Sequence, residues 1–130
     1  MLFLLYYLLA VWFGYGLDML SLGLTLAFTF ATAYVDYEVL MYSYIYDHKA
    51  RFIQRALFFL VIASVSPLEA AGCSLLFYAL FDITLNKLRG LDAIYIGDTA
   101  IIDKFFRTKP FLYICVKVIC LFLGVYLCLI

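Results

Sequence analysis

The sequence predicts an all-α membrane protein, a polytopic transmembrane helical bundle of four to five spans with one short interfacial helix, in a single domain over residues 1–130. Two observations predict this fold class. First, 68% of the residues are hydrophobic and 14% are charged, whereas soluble domains are about half apolar and a quarter charged. Second, apolar runs of the length that crosses a bilayer alternate with short segments that hold most of the charged residues.

The composition also excludes several classes of function. Nine basic and nine acidic residues cancel, so the basic surplus of a nucleic-acid-binding protein is missing. The high apolar content excludes a disordered chain. The four cysteines lie in apolar runs without metal-ligand spacing, and we expect them to be small apolar residues of helices, neither disulfides nor metal ligands. No cofactor, metal site or catalytic residue is expected.

The first part of the chain is too long for one span. Residues 1–35 carry a single charge, Asp18, and as one helix they would extend about 50 Å, beyond the roughly 30 Å hydrocarbon core. Two glycines just before Asp18 loosen the helix, so we predict a first span at 2–15 and a second at 19–38. Four spans result if these helices merge or if one is re-entrant.

The sharpest local signal surrounds Pro67. Ser66 at the N-cap, Pro67 at the first helical position and Glu69 three residues after the cap form a capping box. This pattern predicts a helix at 67–89. Gly90 follows it as a left-handed cap.

The remaining helices are predicted around this element. The preceding helix, at 50–65, forms a hairpin with it; the alternative is one proline-kinked span over 56–81. A short amphipathic helix at 99–107 is typical of a helix that lies in the membrane interface. The last span is predicted at 110–130, and its single charge, Lys117, is expected to snorkel to the nearer membrane surface.

The basic residues predict the orientation. In the hairpin arrangement, residues 47–55 and 87–109 face the same side and contain all the basic residues except Lys117. The positive-inside rule makes that side cytoplasmic, which puts the N-terminus inside and the C-terminus outside. A kinked span would divide the basic residues between two sides. We expect a bacterial inner membrane or a phage-associated membrane, with an organelle inner membrane as the alternative.

Polar residues at four-residue spacing on the hairpin helices predict a charged ladder at the cytoplasmic boundary. Antiparallel packing about Pro67 puts Arg51 opposite Asp82 and Arg55 opposite Tyr78. Paired charges fix helix register where an unpaired charge is costly. The alternative to this structural role is a proton or ion relay, or a site for a lipid phosphate. The ladder consists of Asp47, Arg51, Arg55, Tyr78, Asp82, Asn86 and Arg89.

Further polar residues near this boundary are candidate ion or lipid contacts. The tyrosine-rich segment among them is typical of an interfacial aromatic belt. In the alternative interpretation an acid there acts as an acid/base group or cation ligand, with a histidine transferring the proton. The candidates are Asp36, Glu38, His48 and Lys87. A stripe predicted to pack against another helix by hydrogen bonding, or alternatively to line a pore, consists of Thr25, Thr29 and Thr32.

Several segments, covering about a fifth of the chain, carry a resemblance. They are FDITLNKLRG at 81–90, YIGDTA at 95–100 and DKFF at 103–106, together with 47–49 and 54–55. With these segments the chain resembles uncharacterised small polytopic membrane proteins of bacterial and phage genomes. The resemblance implies no activity, but it implies that the chain from Asp82 to Phe106 is a defined unit. An AT-rich organelle genome would instead suggest an accessory subunit of a large membrane complex.

We therefore expect a non-enzymatic structural or assembly component of a membrane. It would be surrounded by membrane lipids and would form a homo-oligomer or join a larger membrane complex. Association is expected because five short helices enclose little interior, and a second copy or a partner would complete the ladder. A small oligomeric ion channel or holin-like pore is the first alternative. A membrane-embedded enzyme or binder acting on lipid head groups is the second.

Overall fold

A computed structural model describes residues 16–42, 47–97 and 101–130. Every regular element in these ranges is an α-helix, which confirms the all-α class. The predicted first span at 2–15 lies outside the described residues. The five helices are α1 (Gly16–Met41), α2 (His48–Ala63), α3 (Pro67–Leu88), α4 (Ile101–Arg107) and α5 (Pro110–Leu129).

Both ends of α3 form as their local sequence predicts. The Ser66 hydroxyl accepts a hydrogen bond from the N–H of Glu69 at 3.2 Å, and proline occupies the first helical position. At the other end Gly90 has a φ of 71°, and the N–H of Leu91 donates to the carbonyl of Asn86 at 2.9 Å. This bond belongs to a Schellman motif, which favours glycine because the left-handed conformation strains other residues.

The chain reverses direction at 64–66, so α2 and α3 form the hairpin and not one kinked span. The rings of Phe59 on α2 and Phe77 on α3 pack edge to face with 5.6 Å between centroids. Arg55 precedes Phe59 by one turn on α2. Its guanidinium lies over the rings of Phe77 and Phe81, and Phe81 follows Phe77 by one turn on α3. The two helices are therefore antiparallel, and the charged start of α2 lies beside the second half of α3.

The central helix is α3, which contacts α1, α2 and α5. Its neighbour α1 runs parallel to it. Near the start of both helices the Cys73 thiol lies 3.8 Å from the Ser21 carbonyl oxygen, and farther along both helices Ala33 shares a buried cluster with Phe81. The end of α1 and the start of α2 consequently meet at the same end of the molecule.

The antiparallel helix α5 comes closest to α3 at a pair of glycines. A Cβ atom on Gly72 would lie 2.8 Å from the carbonyl oxygen of Gly124, and one on Gly124 would lie 2.9 Å from that of Gly72. Side chains at these positions would force the two backbones apart. The small residues thus set the close helix spacing, as is common between membrane helices.

Three described helices are long and apolar enough to cross a membrane: Met19–Met41 of α1, α3 and α5. The predicted span at 50–65 becomes α2, whose 16 residues extend about 24 Å and fall short of the roughly 30 Å hydrocarbon core. The described part of the chain therefore contains three candidate spans. The larger number, four to five, stays a prediction.

The short helix predicted at 99–107 forms as α4. The ring of Phe106 is buried and packs edge to face with Tyr113 of α5, with 5.4 Å between centroids. The neighbouring ring of Phe105 is exposed, and the Lys109 ammonium lies 5.0 Å from its centroid. Phe106 thus attaches α4 to α5, whereas the side chain of the preceding residue, Phe105, is exposed.

Candidate functional site

A fully buried carboxylate lies between α1 and α2. The side chain of Asp36 has no exposed surface. Arg51 Nε forms an ion pair with Asp36 Oδ1 at 3.1 Å, and Arg55 Nη2 donates a hydrogen bond to Oδ2 at 2.5 Å. Because Arg51 and Arg55 are one turn apart, the same face of α2 presents both guanidinium groups to one carboxylate. These three residues are termed the Asp36 cluster.

Aromatic rings form the floor of the Asp36 cluster. The guanidinium carbon of Arg55 lies 4.3 Å from the centroid of Phe81 and 5.4 Å from that of Phe77. The negative faces of these rings attract the cation. The rings also keep water away, which strengthens the attraction between Arg55 and Asp36. Further rings of this aromatic group come from α1 and α2: Phe28, Phe58 and Phe59.

A second ion pair joins α3 to α5. Lys117 Nζ lies 2.6 Å from Asp82 Oδ2, and it also donates to the carbonyl of Tyr78. The Tyr113 hydroxyl donates to Asp82 Oδ2 at 3.4 Å. The Lys117 ammonium lies 3.8 Å from the Tyr78 ring centroid and 5.3 Å from that of Tyr113. These four residues are termed the Asp82 cluster.

The expected snorkelling of Lys117 is wrong. Its side chain is only 6% exposed, whereas that of Asp82 is 44% exposed. The ammonium group turns inward because a carboxylate, a carbonyl and two ring faces lie within its reach on α3 and α5. Inward pairing satisfies the charge without extending the side chain to the membrane surface.

The predicted pairing of Arg51 with Asp82 is also wrong. Arg51 pairs with Asp36, and Asp82 pairs with Lys117. The cause is the rotation of successive residues around a helix, about 100° per residue. Phe81 faces α2, so Asp82, the next residue, faces α5 instead. The hairpin places the two helices side by side as expected, but the predicted ladder is divided between two clusters.

Two other ladder residues have local structural contacts. Asp47 is the N-cap of α2, where its carboxylate accepts hydrogen bonds from the N–H groups of Lys49 at 2.9 Å and Ala50 at 3.1 Å. The buried Asn86 donates from Nδ2 to the carbonyl of Tyr95 at 2.8 Å. Asp47 therefore starts α2, and Asn86 holds the loop after α3 against that helix.

The remaining predicted residues lie at the same end of the molecule as the two clusters. Glu38 is half-buried near the end of α1, and His48 is exposed at the first position of α2. Lys87 in the last turn of α3 and Arg89 at its C-cap are both exposed. The structure brings Asp36, one of the candidate contacts, together with the ladder residues Arg51 and Arg55.

The threonine stripe lies on the buried face of α1 that leads to Asp36. The Thr29 hydroxyl donates to the carbonyl of Thr25 at 2.7 Å, and the Thr32 hydroxyl donates to that of Phe28 at 2.7 Å. These hydroxyl groups bond to their own helix, not to a neighbouring one as expected. Buried hydroxyl groups in a span are satisfied in this way without a partner helix. All three threonines are buried, so the stripe belongs to the packed face of α1.

Sequence reasoning missed Lys117 and Tyr113 as members of a site. A signal was present, because a lysine inside an apolar helix needs an opposite charge nearby. Tyr113 lies one turn before Lys117 and so shares its face of α5. The sequence did not identify Asp82 as the partner of Lys117, because only the packing of α5 against α3 brings Asp82 to that face.

The charges of the described helices gather at one end. Four helix ends meet there: the end of α1, the start of α2, the end of α3 and the start of α5. This end of the molecule holds both ion clusters and the exposed basic residues at 49–55 and 87–109. At the opposite end, the structure describes one charged side chain, that of Glu69. The predicted gathering of basic residues on one side is therefore present among the described residues.

Comparison with protein-family models, with curated proteins and with solved structures finds no match for this chain. The resemblance of residues 81–106 to small polytopic membrane proteins stays a prediction. A function for the chain has to be proposed from its residues and their contacts.

Proposed function

We propose that this chain is an integral membrane protein that serves as a structural or assembly component and self-associates in the bilayer. The supporting observation is that Asp36 and Lys117, the two most deeply buried charges among the described residues, are each paired with an oppositely charged side chain of the same chain. Their pairing uses the polar groups to hold helices together and leaves the outer helix faces apolar. An enzyme would instead need reactive groups that remain available to a substrate.

The contact between copies is proposed on the outer face of α2. This helix has no fully buried residue, and it is too short to match the bilayer core. A helix shorter than the hydrocarbon thickness is accommodated by thinning the bilayer or by association with another helix. Beyond its charged first turn, the outer face carries the exposed apolar side chains Phe52, Ile53, Leu57, Leu60 and Val61, with the exposed Gln54 among them.

The proposed membrane arrangement has five spans. The segment at 2–15 is the first span, and α2 crosses a locally thinned or protein-covered part of the bilayer between α1 and α3. The end with the basic residues is cytoplasmic by the positive-inside rule, which puts the N-terminus inside and the C-terminus outside. The proposed location is a bacterial inner membrane or a phage-associated membrane.

Cross-linking tests the contact between copies. In a background without native cysteines, Leu57→Cys on α2 is expected to give a covalent dimer on oxidation. The matched variant is Phe122→Cys on α5, where the native side chain is also exposed. It is expected to remain monomeric. Single-molecule photobleaching of the wild-type chain in native membrane vesicles is an independent measurement. Single bleaching steps at every protein density would overturn self-association.

One observation favours a second candidate function, binding of an anionic lipid head group. The Asp36 cluster has two guanidinium groups for one carboxylate, and Arg51 and Arg55 are 22% and 24% exposed. A lipid phosphate at the exposed edge would neutralise the surplus positive charge through charge-assisted hydrogen bonds.

Native mass spectrometry with lipids tests this second candidate. Phosphatidylglycerol is expected to be retained in preference to phosphatidylcholine, and Arg51→Gln is expected to remove the preference. The matched variant Lys49→Gln neutralises a nearby exposed base that is outside the cluster and should keep it. Equal retention of both lipids by the wild type would contradict the proposal.

A further inference from the structure

Two cysteines meet where α3 and α5 pack most closely. Sγ of Cys73 and Sγ of Cys128 are 3.6 Å apart, and neither residue has exposed surface. A Cβ atom on Gly72, the residue before Cys73, would lie 2.9 Å from the Cys128 sulfur. The close glycine contact between the helices therefore fixes the distance between the thiols.

The thiol pair is at the end of the molecule opposite the charged clusters. Cys128 Sγ lies 3.9 Å from the carbonyl oxygen of Glu69, in the first turn of α3. The turn at 64–66, whose serine hydroxyl caps α3, comes just before this residue. Cys128 Sγ therefore lies about one helical turn from this polar turn of the chain and Cys73 about two, close to where a membrane helix reaches water.

We propose that Cys73 and Cys128 are a disulfide site that covalently joins α3 to α5. The sulfur atoms are in van der Waals contact, and a bond needs them to close to about 2.05 Å, which side-chain rotation can supply when the helices are held close. The sequence alone predicts four inert apolar cysteines. The structure distinguishes this pair, because Cys115 and Cys120 lie elsewhere on α5 and are partly exposed.

The oxidant is a low-molecular-weight disulfide. One protein thiolate attacks a sulfur of the oxidant, which forms a mixed disulfide and releases one thiol. The second protein thiolate then attacks the protein sulfur of the mixed disulfide and releases the second thiol. Overall, the protein loses two hydrogen atoms and two thiols are formed from the oxidant. The new bond links two residues 55 positions apart and restricts the unfolded chain, so we expect the oxidised protein to unfold at a higher temperature.

The test uses the full chain in nanodiscs, incubated with oxidised glutathione. Afterwards the protein is denatured, its free thiols are alkylated and it is mapped by mass spectrometry without reduction. The expected result is two alkylated thiols, on Cys115 and Cys120, and one peptide pair linked through Cys73 and Cys128. The double variant C115S/C120S is the matched control and should form the same link.

Two results would overturn the proposal. The first is four alkylated thiols in the wild type after oxidation. The second is a link that involves Cys115 or Cys120 while Cys73 and Cys128 stay free. The wild-type peptide map decides the pairing by itself, so the conclusion does not depend on whether C73S or C128S folds.

Discussion

At the residue scale, Asp36 carries the largest electrostatic demand in the described chain. An ionised carboxylate inside a membrane helix is costly, up to about 3 kcal/mol at the helix centre on insertion-based scales, and the Asp36 side chain has no exposed surface. Two arginines one turn apart on α2 offset that cost. Arg55 is in turn stacked on Phe81, so the carboxylate, the cation and the ring depend on one another.

Replacement of Asp36 by Asn is expected to destabilise the fold by about 3 kcal/mol, because it leaves two guanidinium groups without their counter-charge. The measurement is the free energy of unfolding in mixed micelles. Glu38→Gln is the matched control, since Glu38 is on the same helix but only half-buried, and its loss should cost less than about 1 kcal/mol. Equal effects of the two variants would contradict the role assigned to Asp36.

The Asp82 cluster predicts an asymmetry between its two charged partners. Asp82→Asn leaves the buried Lys117 ammonium unpaired and is expected to destabilise by about 3 kcal/mol. Lys117→Met leaves Asp82, which is 44% exposed and can be solvated, and it should cost below about 1 kcal/mol. The same unfolding assay measures both. A larger loss of stability for Lys117→Met than for Asp82→Asn would contradict the prediction, because the more exposed charge would then be the one that depends more on its partner.

At the element scale, α3 organises the fold because successive residues face different neighbours. Phe81 faces α2 and lies under Arg55, whereas Asp82 faces α5 and binds Lys117. Near the other end of the helix, Gly72 contacts the backbone of α5. The faces of α3 thus use different interactions: ring stacking under Arg55 toward α2, and an ion pair together with close backbone packing toward α5.

Two glycine substitutions are expected to change stability in opposite directions. Gly124→Ala puts a Cβ 2.9 Å from the backbone nitrogen of Leu76 and from the carbonyl oxygen of Gly72, so α5 has to shift and the protein loses about 1–3 kcal/mol. Gly23→Ala meets nothing within 4 Å and should stabilise α1 by about 0.5–1 kcal/mol. Thermal midpoints check both signs. Stabilisation by Gly124→Ala would contradict the close packing of α3 and α5.

At the scale of the whole molecule, the zero net charge conceals a strong separation of polar and apolar ends. Both ion clusters and the exposed basic residues lie at one end of the described helices, and the turn at 64–66 and the thiol pair lie at the other. In a bilayer this asymmetry determines orientation through the basic residues. The acids of the two clusters, Asp36 and Asp82, contribute little to it because basic side chains of the same chain neutralise them.

Labelling in whole cells tests the proposed orientation. In a background without native cysteines, Ser64→Cys in the turn between α2 and α3 is expected to react with a membrane-impermeant maleimide. Arg89→Cys after α3 should react only when the membrane is permeabilised. Both native side chains are exposed, so accessibility within the protein is matched. The reverse pattern would place the basic end outside and contradict the proposed topology.

Local features of the fold could be predicted because neighbouring residues decide them. The cap at Ser66 and the left-handed Gly90 depend on hydrogen bonds that span three to five residues, and both form as predicted. The partner of Arg51 could not be predicted. The choice between Asp36 and Asp82 depends on how α2 and α3 are rotated about their axes, and no short-range pattern records that rotation.

The sequence by itself determined that this chain is helical, apolar enough for a membrane and basic on one side, because composition, periodicity and capping residues act locally. Only the tertiary structure decided which charges are paired, that α3 is central and that Cys73 meets Cys128. The physical reason is that a buried charge or thiol takes whichever partner the packed helices bring to it. That partner can be 19 residues away, as for Asp36 and Arg55, or 55, as for the two cysteines.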